Sequence, residues 1–208
     1  MNLIMLDEIL IFVALGTLAG LLAGMFGIGG GLIIVPVLIG TFISLGFDSE
    51  IIVHLAIGTA ISCIIFTGLS SANAHRAKKS IDFDHFKPVA TGIIFGALAG
   101  ALFAVQIDGS FLKLSIAIFV LLVGIQILFD IKISSKKIYP KKSKSIFAGS
   151  IIGFLSSILG IGGGTFSVPY FRASGLRLTT SIGTSAACGV PIAVFGTLGY
   201  IIAGIDVN

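Results

Sequence analysis

A chain of 208 residues that is 56% hydrophobic and only 11% charged cannot clothe a water-facing surface, because soluble domains carry about 25% charged residues. Its mean hydropathy of +1.14 rules out disordered, collagen-like and disulfide-framework chains, and its 28 glycines suit helices packed closely in lipid, where small residues let backbones approach. The net charge of +4 is informative mainly through its placement, since 10 of the 13 Lys and Arg fall in two short stretches. The expected fold class is an all-α membrane protein, a polytopic helical bundle with glycine-broken helices.

Met1 to Leu10 carries Asp7 and Glu8 and no basic cluster, so it does not read as a cleaved signal peptide. An apolar segment covers about 9–26 and runs into the cluster Gly27-Ile28-Gly29-Gly30-Gly31. A shorter apolar piece, 32–45, leads to Asp48 and Glu50. A long segment at 51–73 precedes the first basic loop, with Arg76, Lys78, Lys79 and Lys87. Segments at 88–106 and 111–129 follow, and then the second basic loop, with Lys132, Lys136, Lys137, Lys141, Lys142 and Lys144. The last part holds 146–159, the cluster Gly160-Ile161-Gly162-Gly163-Gly164, a short piece at 165–171, Arg172 and Arg177, and a long segment at 180–203. A crossing helix needs about 20 apolar residues, so the short pieces are expected as half-helices or re-entrant segments. Broken helices at membrane depth are tolerated where the freed backbone is buried or lines a cavity. Two spans separate the basic loops, which therefore face the same side, the cytoplasm by the positive-inside rule. Asp48 and Glu50 then fall outside, and so does the N-terminus if 9–26 and 32–45 each cross. Cys63 and Cys188 sit in apolar segments and read as small hydrophobes.

An internal repeat organises the chain. Residues 25–36 (MFGIGGGLIIVP) align with 158–169 (ILGIGGGTFSVP) at an offset of 133, keeping Gly-Ile-Gly-Gly-Gly, Val and Pro in register. Gly20 falls on Gly153 at the same offset, and Ile57-Gly58-Thr59 with Cys63 falls on Ile182-Gly183-Thr184 with Cys188 at an offset of 125. An odd number of segments separates equivalent points, so the second copy is expected to be inverted. The charges agree, acidic Asp48 and Glu50 in one copy facing basic Arg172 and Arg177 in the other. Residues 1–133 are read as repeat 1 and 134–208 as an incomplete repeat 2. Doubling the offset predicts roughly two further spans beyond Asn208, leaving a second copy or a complementing chain as an expected partner. Inverted repeats with broken helices are a secondary-transporter architecture, with the substrate near the midplane.

The Gly-x-Gly-Gly-Gly-x4-Pro block in both halves, the Gly-Thr helix after each, and Ala74-His75-Arg76 with Ile81-Asp82 resemble the sulfite exporter TauE/SafE family. The resemblance covers the whole chain and lacks the C-terminal part of the family pattern. It implies a bacterial or archaeal cell-membrane permease, associated with export of sulfite, sulfoacetate and related organosulfur anions.

Half-helices starting near Leu32 and Thr165 would aim their positive ends at the glycine clusters, which makes an anion site. Pro36 and Pro169 would then fit near the helix starts, where no N–H is needed. The expected substrate-binding set is Gly29, Gly30, Gly31, Thr59, Ser62, Gly162, Gly163, Gly164, Thr165, Thr184 and Ser185. Plain helix packing by the glycines, and back-bonding of the hydroxyls to the preceding turn, are the competing readings. His54 is the ionisable residue placed deepest in copy one and is a weaker candidate, while His75 and His85 are expected to be solvated in the basic loop. No carboxylate pair lies within a span and no phosphate-binding Lys loop appears, so neither an Asp/Glu proton relay nor ATP-driven transport is read here. The chain is read as a secondary transporter of a small anion by alternating access. It is read as no enzyme, with no cofactor, no metal and no nucleic acid; its surroundings are the lipid bilayer. The other classes are a membrane-embedded structural or assembly subunit and, behind it, an intramembrane enzyme without a visible nucleophile–base pair.

Overall fold

The computed structural model describes residues 10, 12–21, 30–48, 51–129 and 141–205. Among these the chain forms helices and no strand: α1 Phe12–Leu21, α2 Gly31–Ser44, α3 Ile52–Ala77, α4 Phe83–Ala104, α5 Gly109–Leu128, α6 Lys142–Leu159, α7 Gly164–Ala173 and α8 Leu178–Ile205. Four of them, α3, α4, α5 and α8, are long and apolar enough to cross a membrane. Two of the short helices, α2 and α7, start 133 residues apart, each on the last glycine of its cluster and each followed by a long helix.

Local chemistry sets the helix ends. Asp82 caps α4, its Oδ1 accepting the His85 backbone N–H at 3.0 Å. Asp108 does the same for α5, accepting from Ser110 N at 2.8 Å and Phe111 N at 3.2 Å; these two backbone bonds hold its carboxyl below the ordinary aspartate range. Helix α6 stops because Gly160 takes the left-handed conformation at φ +70°, which lets the Ile161 N–H reach back to Ser156 O at 2.9 Å.

The tightest packing is between α4 and α6. Gly92, Gly96 and Gly100 recur every four residues on α4, and Gly149 and Gly153 do so on α6. A methyl placed on Gly96 would lie 2.8 Å from Ser150 Cα, and one on Gly153 would lie 2.6 Å from Ile93 O. The two backbones are therefore in direct contact, the small-residue seam that dispersion and close approach favour in lipid. Helix α4 also packs on α8, and α8 on α3. Behind the seam Phe171 of α7 is fully buried against the group containing Val89, Ile93 and Ile192.

Helix α5 lies at the margin. Phe111, Leu114, Ile118, Leu121 and Ile125 form an exposed apolar stripe at helical spacing, a surface suited to hydrocarbon rather than water. His54 ties α3 to the turn between α4 and α5. Its Nε2 meets Ala104 O at 3.2 Å and Ile107 O at 3.1 Å. Both partners are carbonyls and only accept, so the ring donates there and serves as a structural brace.

Candidate functional site

The two glycine clusters meet. A methyl on Gly31 would lie 2.8 Å from Ile161 Cα, and one on Gly160 would lie 2.7 Å from Val35 Cγ2. Beside this contact lies a cavity of about 380 Å³ that takes residues from both clusters: Gly30 at the start of α2, and Gly162, Gly163 and Gly164 at the start of α7. Small-molecule sites generally run from about 300 to 1,000 Å³. The long helices complete the wall with one face each. Helix α3 presents Ile64, Thr67, Gly68, Ser71 and His75, and α8 presents Ile182, Ser185, Ala186 and Gly189, both at the three-to-four-residue spacing of a single helical stripe.

Helix starts dominate the electrostatics of this cavity. Helix α2 begins at Gly31 and α7 at Gly164, neither with a side-chain cap and neither with an acidic residue in its first turn. The first backbone N–H groups of a helix have no intrahelical acceptor, and each start carries an effective charge of roughly +0.5. No Asp or Glu lines the cavity among the described residues. Two positive helix ends, small glycines and no counter-carboxylate make a place where an oxyanion is favoured over a cation.

The prolines sit differently from expectation. Pro36 and Pro169 are each the sixth residue of their helix, past the first turn. Each therefore cannot donate to the carbonyl four residues earlier, Leu32 or Thr165, which loosens the opening turn nearest the cavity.

Of the hydroxyls, Ser185 lines the cavity, and its Oγ is 2.6 Å from Ser167 Oγ, locking α7 to α8 at the wall. Ser167 Oγ is also bonded to Gly163 O. Thr184 faces away: its Oγ1 accepts the Asp82 N–H at 2.9 Å, docking the α3–α4 loop on α8. Gly183 beside it is close-packed, since a methyl there would lie 2.6 Å from Ser80 Oγ. Ser62 bonds back to Gly58 O at 2.8 Å and approaches Thr197 Oγ1 at 3.5 Å across the α3–α8 contact. Gly31, Thr59 and Thr165 are not among the cavity-lining residues, and Gly29 lies outside the described residues.

Thr67, Ser71, Ser167 and His75 were not anticipated from sequence. Helix α3 continues to Ala77 rather than ending near 73, and this carries His75 onto the stripe of Ile64, Gly68 and Ser71. His75 is half-buried at one end of the cavity, with Nδ1 2.9 Å from Ser80 Oγ. Asp82 sits two residues further on. Burial raises its pKa, but the His85 backbone N–H, side chain and charge outweigh that and hold it below the ordinary range. A second depression, about 770 Å³, lies on the other side of α3 between Leu69, Arg76, Phe86 and Pro191. It is larger but touches neither glycine cluster, so the smaller cavity is the better candidate.

A family model described as Sulfite exporter TauE/SafE matches residues 12–208. The chain is 33% identical over 203 residues to a "Probable membrane transporter protein" of Haemophilus influenzae, covering 96% of this chain and 76% of that one. It is 29% identical over 203 residues to a protein of the same description from Methanocaldococcus jannaschii, covering 94% of this chain and 73% of that one. A third, "Probable membrane transporter protein YunE" of Bacillus subtilis, is 29% identical over 184 residues, 76% of this chain and 65% of the relative. No solved structure matches the chain.

Proposed function

The chain belongs to the sulfite exporter TauE/SafE family, which makes it a membrane transporter, and we propose that it carries a small sulfur-containing anion, sulfite or an organosulfonate, across the cell membrane by alternating access. The observation that carries this reading is the single cavity taking Gly30 from one glycine cluster and Gly162, Gly163 and Gly164 from the other, with two uncapped helix starts beside it. A sulfite or sulfonate group presents three acceptor oxygens and no donor. Backbone N–H groups at two helix starts offer what such a group loses on leaving water, without a carboxylate to repel it.

The site in this reading is Gly30, Gly162, Gly163, Gly164 and Ser185, with Gly29, Gly31 and Thr165 beside it and Thr59, Ser62 and Thr184 in the supporting contacts. Residues 1–133 and 134–208 act as two inverted units that rock about the shared cavity. The α4–α6 glycine seam joins the two units and serves as the pivot of this motion, and the proline-loosened starts of α2 and α7 are the compliant part. The basic loops face the cytoplasm.

Reconstitution into liposomes tests the reading. Labelled sulfite or sulfoacetate should equilibrate faster through vesicles holding the chain than through empty ones. Replacing Gly163 by Leu should abolish that flux, because Gly163 lines the cavity and a methyl there already lies 2.7 Å from Ile192 Cδ1, so a longer side chain must displace the cavity wall. Undiminished flux in the Gly163→Leu protein defeats the site assignment.

A further inference from the structure

His75 occupies a position that a simple anion site does not require. Its Nδ1 lies 2.9 Å from Ser80 Oγ, and the same hydroxyl lies 3.1 Å from the His75 carbonyl oxygen. A hydroxyl has one hydrogen, and a carbonyl can only accept. Both contacts are satisfied together only when Ser80 donates to the carbonyl and Nδ1–H donates to Ser80. The neutral ring is thereby held as the Nδ1–H tautomer. Its other nitrogen, Nε2, has no hydrogen-bond partner among the described residues, and His75 is one of the residues that line the cavity.

A neutral His75 thus offers the cavity a lone pair, which repels an anion. Once Nε2 takes a proton, the ring keeps its bond to Ser80 and presents a charged N–H donor instead. Building on the proposed anion site, we infer that His75 binds one proton together with each anion, so that the cargo is an anion plus a proton and the complex carries no added net charge. The proton comes from water onto Nε2, no covalent bond is made or broken in the cargo, and the imidazolium releases the proton when the anion leaves. The neighbourhood leaves this role to His75. On its own helix Arg76 is exposed, and in the loop Lys78 and Lys79 are exposed. Asp82 and His85 are paired with each other at 3.0 Å. Among the described residues, those of α1, α2, α7, α8 and the glycine clusters at the cavity are Gly, Val, Ile, Ala and Ser, none of which titrates there.

The test is calorimetric binding of methanesulfonate, which has no titrating proton of its own, to the full chain in detergent between pH 6 and pH 8. Titration in two buffers of different ionisation enthalpy counts the protons taken up. The expected result is about one proton per anion at pH 8, and an affinity that falls toward tenfold per pH unit as the pH rises. His75→Gln should bind with an affinity independent of pH. Ser80→Ala frees the ring to present a neutral Nε2–H, so its affinity should depend on pH less than that of the parent; it also keeps His75 in place should the Gln variant fold poorly. A parent-like pH dependence in both variants overturns the role of His75. Binding that survives Gly163→Leu fails the anion-site reading instead, and absence of binding by the parent overturns both.

Discussion

Replacing Gly96 by Ala adds one methyl to the α4–α6 seam. That methyl would lie 2.8 Å from Ser150 Cα and closer still to the Ser150 carbonyl, where ordinary contact begins at 3.4 Å. The obstacle is backbone, which cannot rotate away, so the two helices must part by more than half an ångström along a seam that also holds Gly92, Gly100, Gly149 and Gly153. Overpacking of this kind costs about 1–3 kcal/mol, set against a helix-propensity gain of about 1 kcal/mol for Gly to Ala. Gly124 on α5 supplies the control, since a methyl there meets nothing within 4 Å and only the propensity gain remains. Unfolding in mixed micelles titrated with a denaturing detergent should place Gly96→Ala below Gly124→Ala by about 1–3 kcal/mol. Equal stabilities for the two variants would refute direct backbone contact in the seam.

Three other expectations follow from the same contacts. Gly162→Ala places a methyl 3.5 Å from Ile64 Cγ2, ordinary contact, so the fold should stay intact by thermal unfolding while anion flux drops about tenfold, the scale of one methyl in a fitted site. His54→Ala removes the donor shared by Ala104 O and Ile107 O and should cost about 1–3 kcal/mol of stability, with anion affinity unchanged by calorimetry. Because Asp82 has a depressed pKa in the folded chain, its stabilising contribution is complete above the ordinary carboxylate range near pH 4 and is lost as pH falls through the lower folded value; Asp82→Asn should flatten that acid-side loss in a pH series of unfolding midpoints.

The parts legible in sequence were those written locally. The repeated glycine clusters announced helix breaks, and α2 and α7 begin at Gly31 and Gly164, one residue before the expected starts. The prolines were misjudged for a related reason: a helix that starts on the last glycine leaves Pro36 and Pro169 in its sixth position. What depends on which helices pair was not legible. The four-residue spacing of Gly92, Gly96 and Gly100 is plain in the chain, but nothing local says that Gly149 and Gly153 lie opposite. Thr59 and Thr184 match by repeat, yet Thr184 is bonded to Asp82 N at 2.9 Å, and only the tertiary path of the 78–82 loop shows that. His75 looked like a loop residue because apolar periodicity fades after residue 73, while the backbone stays helical for another turn.

The most direct measurement of the central claim is anion protection of a thiol in the cavity. Ala186→Cys, made in a Cys63→Ala background because Cys63 is exposed and Cys188 is buried, puts a reactive group on the half-exposed part of the α8 wall of the cavity. Sulfite reacts with thiol reagents, so methanesulfonate and sulfoacetate serve as protectants, with a neutral sulfone as control. Modification should slow in a saturable way with either anion and be unaffected by the sulfone. A rate indifferent to both anions contradicts the assignment of this cavity as the place where the transported anion sits.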